Sequence, residues 1–298
     1  MATIINADTS DGLKLTSDTS GEIELQSAGV TKAKITSSGL QNASGSPITS
    51  QASKNLIING DMAINQRGVT GTVSLSAGAY GHDRFKAGAA GATYTFATTA
   101  NVTTITITAG SLQQVVEGLN IQSGTHTLSW TGTAQGKIDA GSYSASGVTG
   151  TLTGGTNATV EFNTGTLTNV QLEEGTTATP FEHLQYGQQL ARCQRYYTNV
   201  TGASTSIVNC AAWSTSTMFG VYNYPTTMRA VPTMTYSALA DFDCYMNAVA
   251  RTPTQILSEY GDENGTRLKM LISGGVLGHA GWYAIDSGGG TLEFSAEL

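Results

Sequence analysis

Residues 167–197 read LTNVQLEEGTTATPFEHLQYGQQLARCQRYY, and the period of the apolar positions changes partway along. Val170 and Leu172 are two apart, the spacing of a strand with one buried face. Gly175 and Pro180 then punctuate the chain. Beyond them Tyr186, Leu190, Cys193 and Tyr197 recur at helical spacing, with Gln and Arg between. The segment closes a β domain and opens a helix predicted over Tyr186–Tyr197. Those four residues are expected to pack the junction helix, with Leu190, Cys193 and Tyr197 facing the preceding sandwich or, in a trimer, the threefold axis.

Working outward, residues 55–183 predict an all-β domain. Short apolar runs at Leu56–Ile58, Thr93–Thr98, Val102–Thr108, Leu112–Val116, Thr127–Trp130, Thr159–Phe162 and Val170–Leu172 are separated by Asn-Gly and Gly-rich turns. Many short strands with such punctuation argue for a sandwich or jelly roll. Residues 199–298 return to β, with runs such as Ile207–Trp213, Met218–Tyr224, Phe242–Met246 and Leu268–Ile272, and with prolines between them. At the other end, residues 1–41 hold miniature strands around Leu13, Leu15, Ile23, Leu25 and Ile35, with Gly12, Gly21, Gly29 and Gly39 at the turns. Such strands have too little apolar surface to stand alone, so an arm that interleaves with other copies or docks on a partner is expected. Residues 42–54 are small and polar and predict a linker. The expected fold class is therefore mostly β: an N-terminal arm (1–41), a linker (42–54), a jelly-roll sandwich (55–183), a short connecting helix (184–198) and a C-terminal β domain (199–298).

Charge narrows the function. Only 14 residues are Lys or Arg, the net charge is −7 and the pI is near 5.0, so no basic stripe is available for phosphates and nucleic acid is not expected as a partner. No apolar run reaches the ~20 residues of a membrane-spanning helix, and no membrane insertion is expected. The N-terminal residues lack a charged-then-apolar export signal. The three cysteines, Cys193, Cys210 and Cys244, are far apart and fit no metal-ligand spacing; they read as small buried apolar residues.

Catalytic patterns are thin. His82, His126, His183 and His279 are widely separated, whereas metal sites favour paired histidines. Carboxylates are scattered without a distinctive motif, no Gly-X-Ser-X-Gly elbow joins a strand to a helix, and Gly288-Gly289-Gly290 precedes a strand rather than a helix. Asp262-Glu263-Asn264-Gly265 reads as a turn rather than a Ca²⁺ loop. No catalytic residue, metal or cofactor is expected. The remaining signal is aromatic. Trp213, Tyr222, Tyr224, Trp282 and Tyr283 are candidate contacts for a glycan, because a ring face and polar neighbours together satisfy a sugar. Trp282 and Tyr283 are adjacent in one strand, so one must point away from the domain's core.

Three stretches resemble one family. NLIINGDMAINQRG at 55–68, HDRF at 82–85 and VQLEEG…TPFE…CQRYY at 170–197 are similar to the jelly-roll domain of phage tail-fibre and tail-tip proteins, a domain related to carbohydrate-binding modules. GLKLTSDTSGEIELQSAGVTKAKITSSGL, YPTTMRAVPTMTY and the closing TLEFSAEL resemble other parts of such proteins. The resemblance implies a virion protein made in the cytoplasm of a bacterial host. It implies a homotrimer, an attachment of residues 1–41 to a baseplate, tail or capsid protein, and a C-terminal tip that meets host-surface polysaccharide. A stand-alone carbohydrate-binding protein, a capsid decoration fibre and a tail-associated polysaccharide hydrolase are the alternatives.

Overall fold

The computed structural model describes residues 22–36, 39–43, 54–99 and 102–298. Contacts divide the chain at Lys54/Asn55 into two units. The described part is mostly β, with a single α-helix. Leu13 and Leu15 lie outside the described residues, as does most of the expected linker.

In the first unit, β1 (Ile23–Ser27), β2 (Val30–Thr36) and β3 (Gly39–Asn42) form an antiparallel meander. Ala28 and Gly29 turn β1 into β2 with φ of 53° and 74°, the primed-turn geometry that suits a twisted hairpin. Register places Ile23 beside Ile35, Leu25 beside Ala33, and Ile35 beside Leu40, so one face is apolar. Lys34 lies on the other face and bridges Glu22 at 3.2 Å and Glu24 at 3.0 Å. Leu25, Val30, Ile35 and Leu40 are between 41% and 54% exposed, so the described strands leave the apolar face open.

The second unit begins with a sandwich. Its strands are β4 (Val73–Leu75), β5 (Lys86–Thr99), β6 (Val102–Val116), β7 (Gly124–Thr131), β8 (Gly136–Ile138), β9 (Val148–Leu152), β10 (Ala158–Phe162) and β11 (Gly165–Glu174). The order β4-β5-β6-β11-β7-β9 forms one path, and β10 branches from β6 to reach β8. The branch exists because β5 and β6 are long and bent. The first half of β6 pairs with β11 through Ile105–Ile107, and its second half pairs with β10 through Leu112–Val116. Between the halves Gly110 has φ +68°, and a Cβ there would overlap the carbonyl oxygen of Gly91, itself at φ +79°. Two glycines thus let one hairpin serve both layers. The sequence pattern read Gly110 as a turn between two strands; it is a bend inside one. The enclosed core includes Phe85, Tyr94, Ile105, Leu112, Leu128, Trp130, Phe162 and Leu172.

Leu56–Ile58 is not a strand, although its backbone is paired as if it were. The Asn55 side chain accepts from the Ile57 and Leu172 amides and donates to the Val170 carbonyl at 3.0 Å. The Gln114 amide both accepts from the Ile58 N–H and donates to the Ile58 carbonyl, each at 2.8 Å. Side-chain amides here replace a ladder, which apolar periodicity does not reveal.

Helix α1 (Tyr186–Gln194) is shorter than predicted. The Tyr196 amide donates to the Cys193 carbonyl, and Tyr197 already pairs with Ser295. Strand pairing therefore overrides the helical spacing of Tyr197. Cys193 is buried and Leu190 half-buried against Ile58, Ile64 and Tyr196, as a packing role requires. Tyr186 is 63% exposed and does not pack the helix. Its position on the turn before the buried stripe leaves its ring in solvent.

The rest of the unit contains β12 (Tyr197–Gly202), β13 (Ser206–Ser214), β14 (Thr217–Asn223), β15 (Thr233–Tyr236), β16 (Phe242–Met246), β17 (Val249–Arg251), β18 (Gln255–Glu259), β19 (Gly265–Leu271), β20 (Ala280–Ile285) and β21 (Gly290–Ser295). Strands β17-β16-β20-β13-β14-β19-β18 make a seven-stranded sheet, and β12-β21-β15 a three-stranded one. Met218, Phe242, Cys244, Leu268, Tyr283, Leu292 and Phe294 fill the core these sheets share. The period-2 pattern of FDCYM, buried at alternate positions, shows why β16 was readable from sequence.

Candidate functional site

The family-like motifs meet around a buried polar knot that ties the sandwich to the C-terminal strands. Arg84 is 1% exposed. Its guanidinium pairs with Glu297, donates to the Val115 carbonyl at 2.7 Å and lies 3.6 Å from the centroid of Tyr196. Arg67 also reaches Glu297, at 3.3 Å, and sits 3.7 Å from the Tyr197 ring centroid. The Tyr196 hydroxyl donates to Glu117 at 2.7 Å. Asp83 accepts from both the backbone and side-chain nitrogens of Gln66 at 2.6 Å, although burial pushes its carboxyl pKa up. In the VQLEEG–TPFE stretch, Gln171 and Glu173 bond the Thr179 and Glu182 backbone. Most of these groups are enclosed and partnered, although Arg84 Nε and Arg67 Nη1 are buried without a hydrogen-bond partner. The motifs hold the fold.

Open chemistry lies instead on the outer face of the seven-stranded sheet. The β13–β14 ladder runs from Ser214/Thr217 to Cys210/Gly220 and stops. Beyond it, β13 continues to pair with β20 and β14 with β19. A wedge therefore opens within the sheet between Ile207–Asn209 and Val221–Asn223. A depression of about 690 Å³ occupies it, lined among others by Asn209, Phe219, Val221, Tyr222, Asn223 and Arg267. Its rims are aromatic. Across β13, Asn209 is level with Trp282, which stacks on Tyr245 at 4.9 Å and 8°. On the far side the Arg267 guanidinium lies 4.2 Å from the Phe219 centroid and 4.4 Å from that of Tyr260. Arg267 bonds Glu259 at 2.6 Å, and Lys269 reaches the same carboxylate at 3.0 Å. The Arg267 hydrogen bond, then that of Lys269, holds the Glu259 pKa below the usual carboxylate range.

The structure separates the five predicted aromatic contacts. Trp213 is 73% exposed on this face, edge-on to Phe219 at 6.3 Å, and Trp282 is 41% exposed at the rim. Tyr222 lines the wedge from the inner side while stacked on Phe294 at 5.0 Å. Tyr224 and Tyr283 are buried in the core and are not contact residues. Tyr283 takes the inward side of β20 because Trp282 takes the outward one, and Tyr224 closes the core edge beside Tyr222 and Phe294. Sequence reasoning did not select Asn209, Phe219, Val221, Tyr245, Tyr260 or Arg267. Strand alternation could have placed Tyr245 outward, level with Trp282, but only the register shows that they stack.

The arrangement offers ring faces, amide groups and an anchored guanidinium, a set suited to holding a polar ligand. Cys210, at the inner wall, has its thiol pKa pushed up to about 11 by burial and is a poor nucleophile. Among the described residues no three His, Cys, Asp or Glu side chains gather as a metal-holding group. No protein-family model, curated protein or solved structure matches the chain.

Proposed function

We propose that the chain is a structural, non-enzymatic subunit of a phage tail fibre or fibre tip. It anchors through residues 1–41 to a baseplate, tail or capsid protein and attaches to host-surface glycan through the wedge of the C-terminal sheet. The observation that carries this reading is the wedge itself, where Trp282, Tyr245 and Phe219 flank Asn209, Asn223 and Arg267. Aromatic faces cover the apolar side of a sugar, and amide and guanidinium groups meet its hydroxyls. The motif resemblance of residues 55–85 and 167–197 supports the fibre context. The apolar face that the described strands of the first unit leave exposed supports assembly, because three strands with an exposed apolar side need a partner. In a homotrimer, three wedges would turn weak contacts into avidity.

The test is binding of the full chain to immobilised host-surface polysaccharide, with particle mass measured in parallel. A trimeric mass is expected, together with a loss of roughly tenfold in affinity, about 1.4 kcal/mol, for Trp282→Ala and for Arg267→Ala. A stable monomer, or polysaccharide binding indifferent to both substitutions, would overturn the proposal.

A further inference from the structure

Three connections lie together at one end of the seven-stranded sheet. They are the β13–β14 turn, the β16–β17 turn and the segment 272–279 between β19 and β20. Backbone bonds lock the first to the third: the Gly275 N–H donates to the Thr215 carbonyl at 2.8 Å and the Gly278 N–H to that of Ala212 at 2.9 Å. The second joins them through Asn247, whose Oδ1 lies 3.0 Å from His279 Nδ1. Arg251 braces the same end, donating to the carbonyls of Gly274, Met246 and Val249 at 3.1, 3.0 and 3.0 Å.

These turns present aliphatic side chains to water. The His279 N–H donates to the Val276 carbonyl at 3.1 Å and Gly278 has φ +79°, so Leu277 is held at the apex of a turn whose third position favours glycine. Leu277 is 69% exposed, Val276 43%, Val249 on the neighbouring turn 51%, and Trp213 before the β13–β14 turn 73%. Turn apexes ordinarily carry Gly, Asn, Asp or Ser, and grouped exposed apolar residues mark a contact surface. Charge says what that surface meets. The chain has 21 Asp or Glu against 14 Lys or Arg, yet residues 211–217, 246–254 and 272–282 contain no carboxylate side chain, and Arg251 is their one Lys or Arg. A second copy packed on this end about a twofold axis would set Arg251 against Arg251. Apolar groups beside a fixed cation, with no anion among them, suit hydrocarbon lying beneath negative phosphate.

We infer that this end of the sheet docks on an anionic lipid surface. Leu277, Val276 and Val249 enter the headgroup boundary, the Trp213 ring settles at it, and Arg251 faces the lipid phosphates. The contact is peripheral: among the described residues no helix is long and apolar enough to cross a membrane. It uses the end of β13 opposite the wedge at Ile207–Asn209, and it stands whether or not the wedge binds glycan.

Vesicle flotation of the full chain tests it, using phosphatidylethanolamine vesicles containing phosphatidylglycerol, with phosphatidylcholine vesicles as the uncharged control. Neither lipid mixture carries a sugar, so the wedge is not read. The chain should float with the anionic vesicles and far less with the control, and its tryptophan emission should shift to the blue. Val276→Ser with Leu277→Ser, both at exposed positions, should weaken binding roughly tenfold or more and leave the melting temperature unchanged. Trp213→Phe should remove most of the blue shift while the chain still floats. Asn209→Ala, in the wedge, should leave flotation intact. Failure to float with anionic vesicles would overturn the inference, as would equal flotation with phosphatidylcholine or flotation that survives the serine pair. A fall in particle mass caused by the serine pair would assign this end to contact between copies and overturn it too.

Discussion

The meander of residues 23–42 and the seven-stranded sheet of residues 206–285 are built alike and end differently. Both are antiparallel, and both sort side chains by strand alternation into an apolar and a polar face. The larger sheet covers its apolar face with β12, β15 and β21, so Met218, Cys244, Leu268 and Tyr283 lose essentially all contact with water. The smaller sheet, among the described residues, leaves Leu25, Ile35 and Leu40 more than 40% exposed, and its polar face relies on exposed ion pairs that contribute little. Alternation alone therefore specifies a sheet; a second layer makes it self-sufficient.

The comparison can be broken most severely at Arg84. Arg84→Ala leaves buried Glu297 with only its longer contact to Arg67 and should destabilise the 55–298 unit by about 3–4 kcal/mol, measured by chemical denaturation. Gly110→Ala should cost about 3 kcal/mol, from strain at positive φ and overlap with Gly91, and should fall on the same unit. The third effect depends on pH. Burial lowers the His82 pKa from 6.5 to about 4, and its Nδ1 lies 3.0 Å from the Tyr94 hydroxyl. Between those values the unfolded chain binds the proton and the folded one does not, so stability is full above pH 6.5 and is lost as pH falls toward 4. The loss approaches about 3 kcal/mol at 1.36 kcal/mol per pKa unit. Asp83, whose pKa is raised, acts with the opposite sign and blunts the acid end. His82→Gln should flatten the decline measured between pH 7 and 5. The smallest shift in melting sharpens the contrast most. Leu25→Ser with Ile35→Ser should leave the melting of the 55–298 unit unchanged, yet lower the particle mass of the full chain from trimer to monomer.

Much of this architecture was legible because burial follows period. FDCYM and most of the β13 run alternate, and each is a strand. Legibility failed where partners distant in sequence decide. Tyr197 continues a helical spacing but pairs with Ser295, so the helix stops early. Leu56–Ile58 looks like a strand, but its polar groups are met by the Asn55 and Gln114 side chains. Strands β4, β8 and β9 are short and carry many small or polar residues, so they leave little pattern to read. At the candidate site, alternation correctly opposed Trp282 to Tyr283. The splaying of β13 from β14 depends on which neighbour each strand keeps, and no local pattern records that.

The pairing of Arg84 with Glu297 also has a consequence in time. The partners are 213 residues apart, and a ribosome adding about 5–20 residues per second leaves roughly ten to forty seconds between them. Throughout that interval Arg84 has its place in the sandwich but no counter-charge, so the first lobe cannot reach its final state while the second is still being made. Glu297, two positions after the last strand, acts as a completion signal: the sandwich closes on its cation only once the strands that follow it exist.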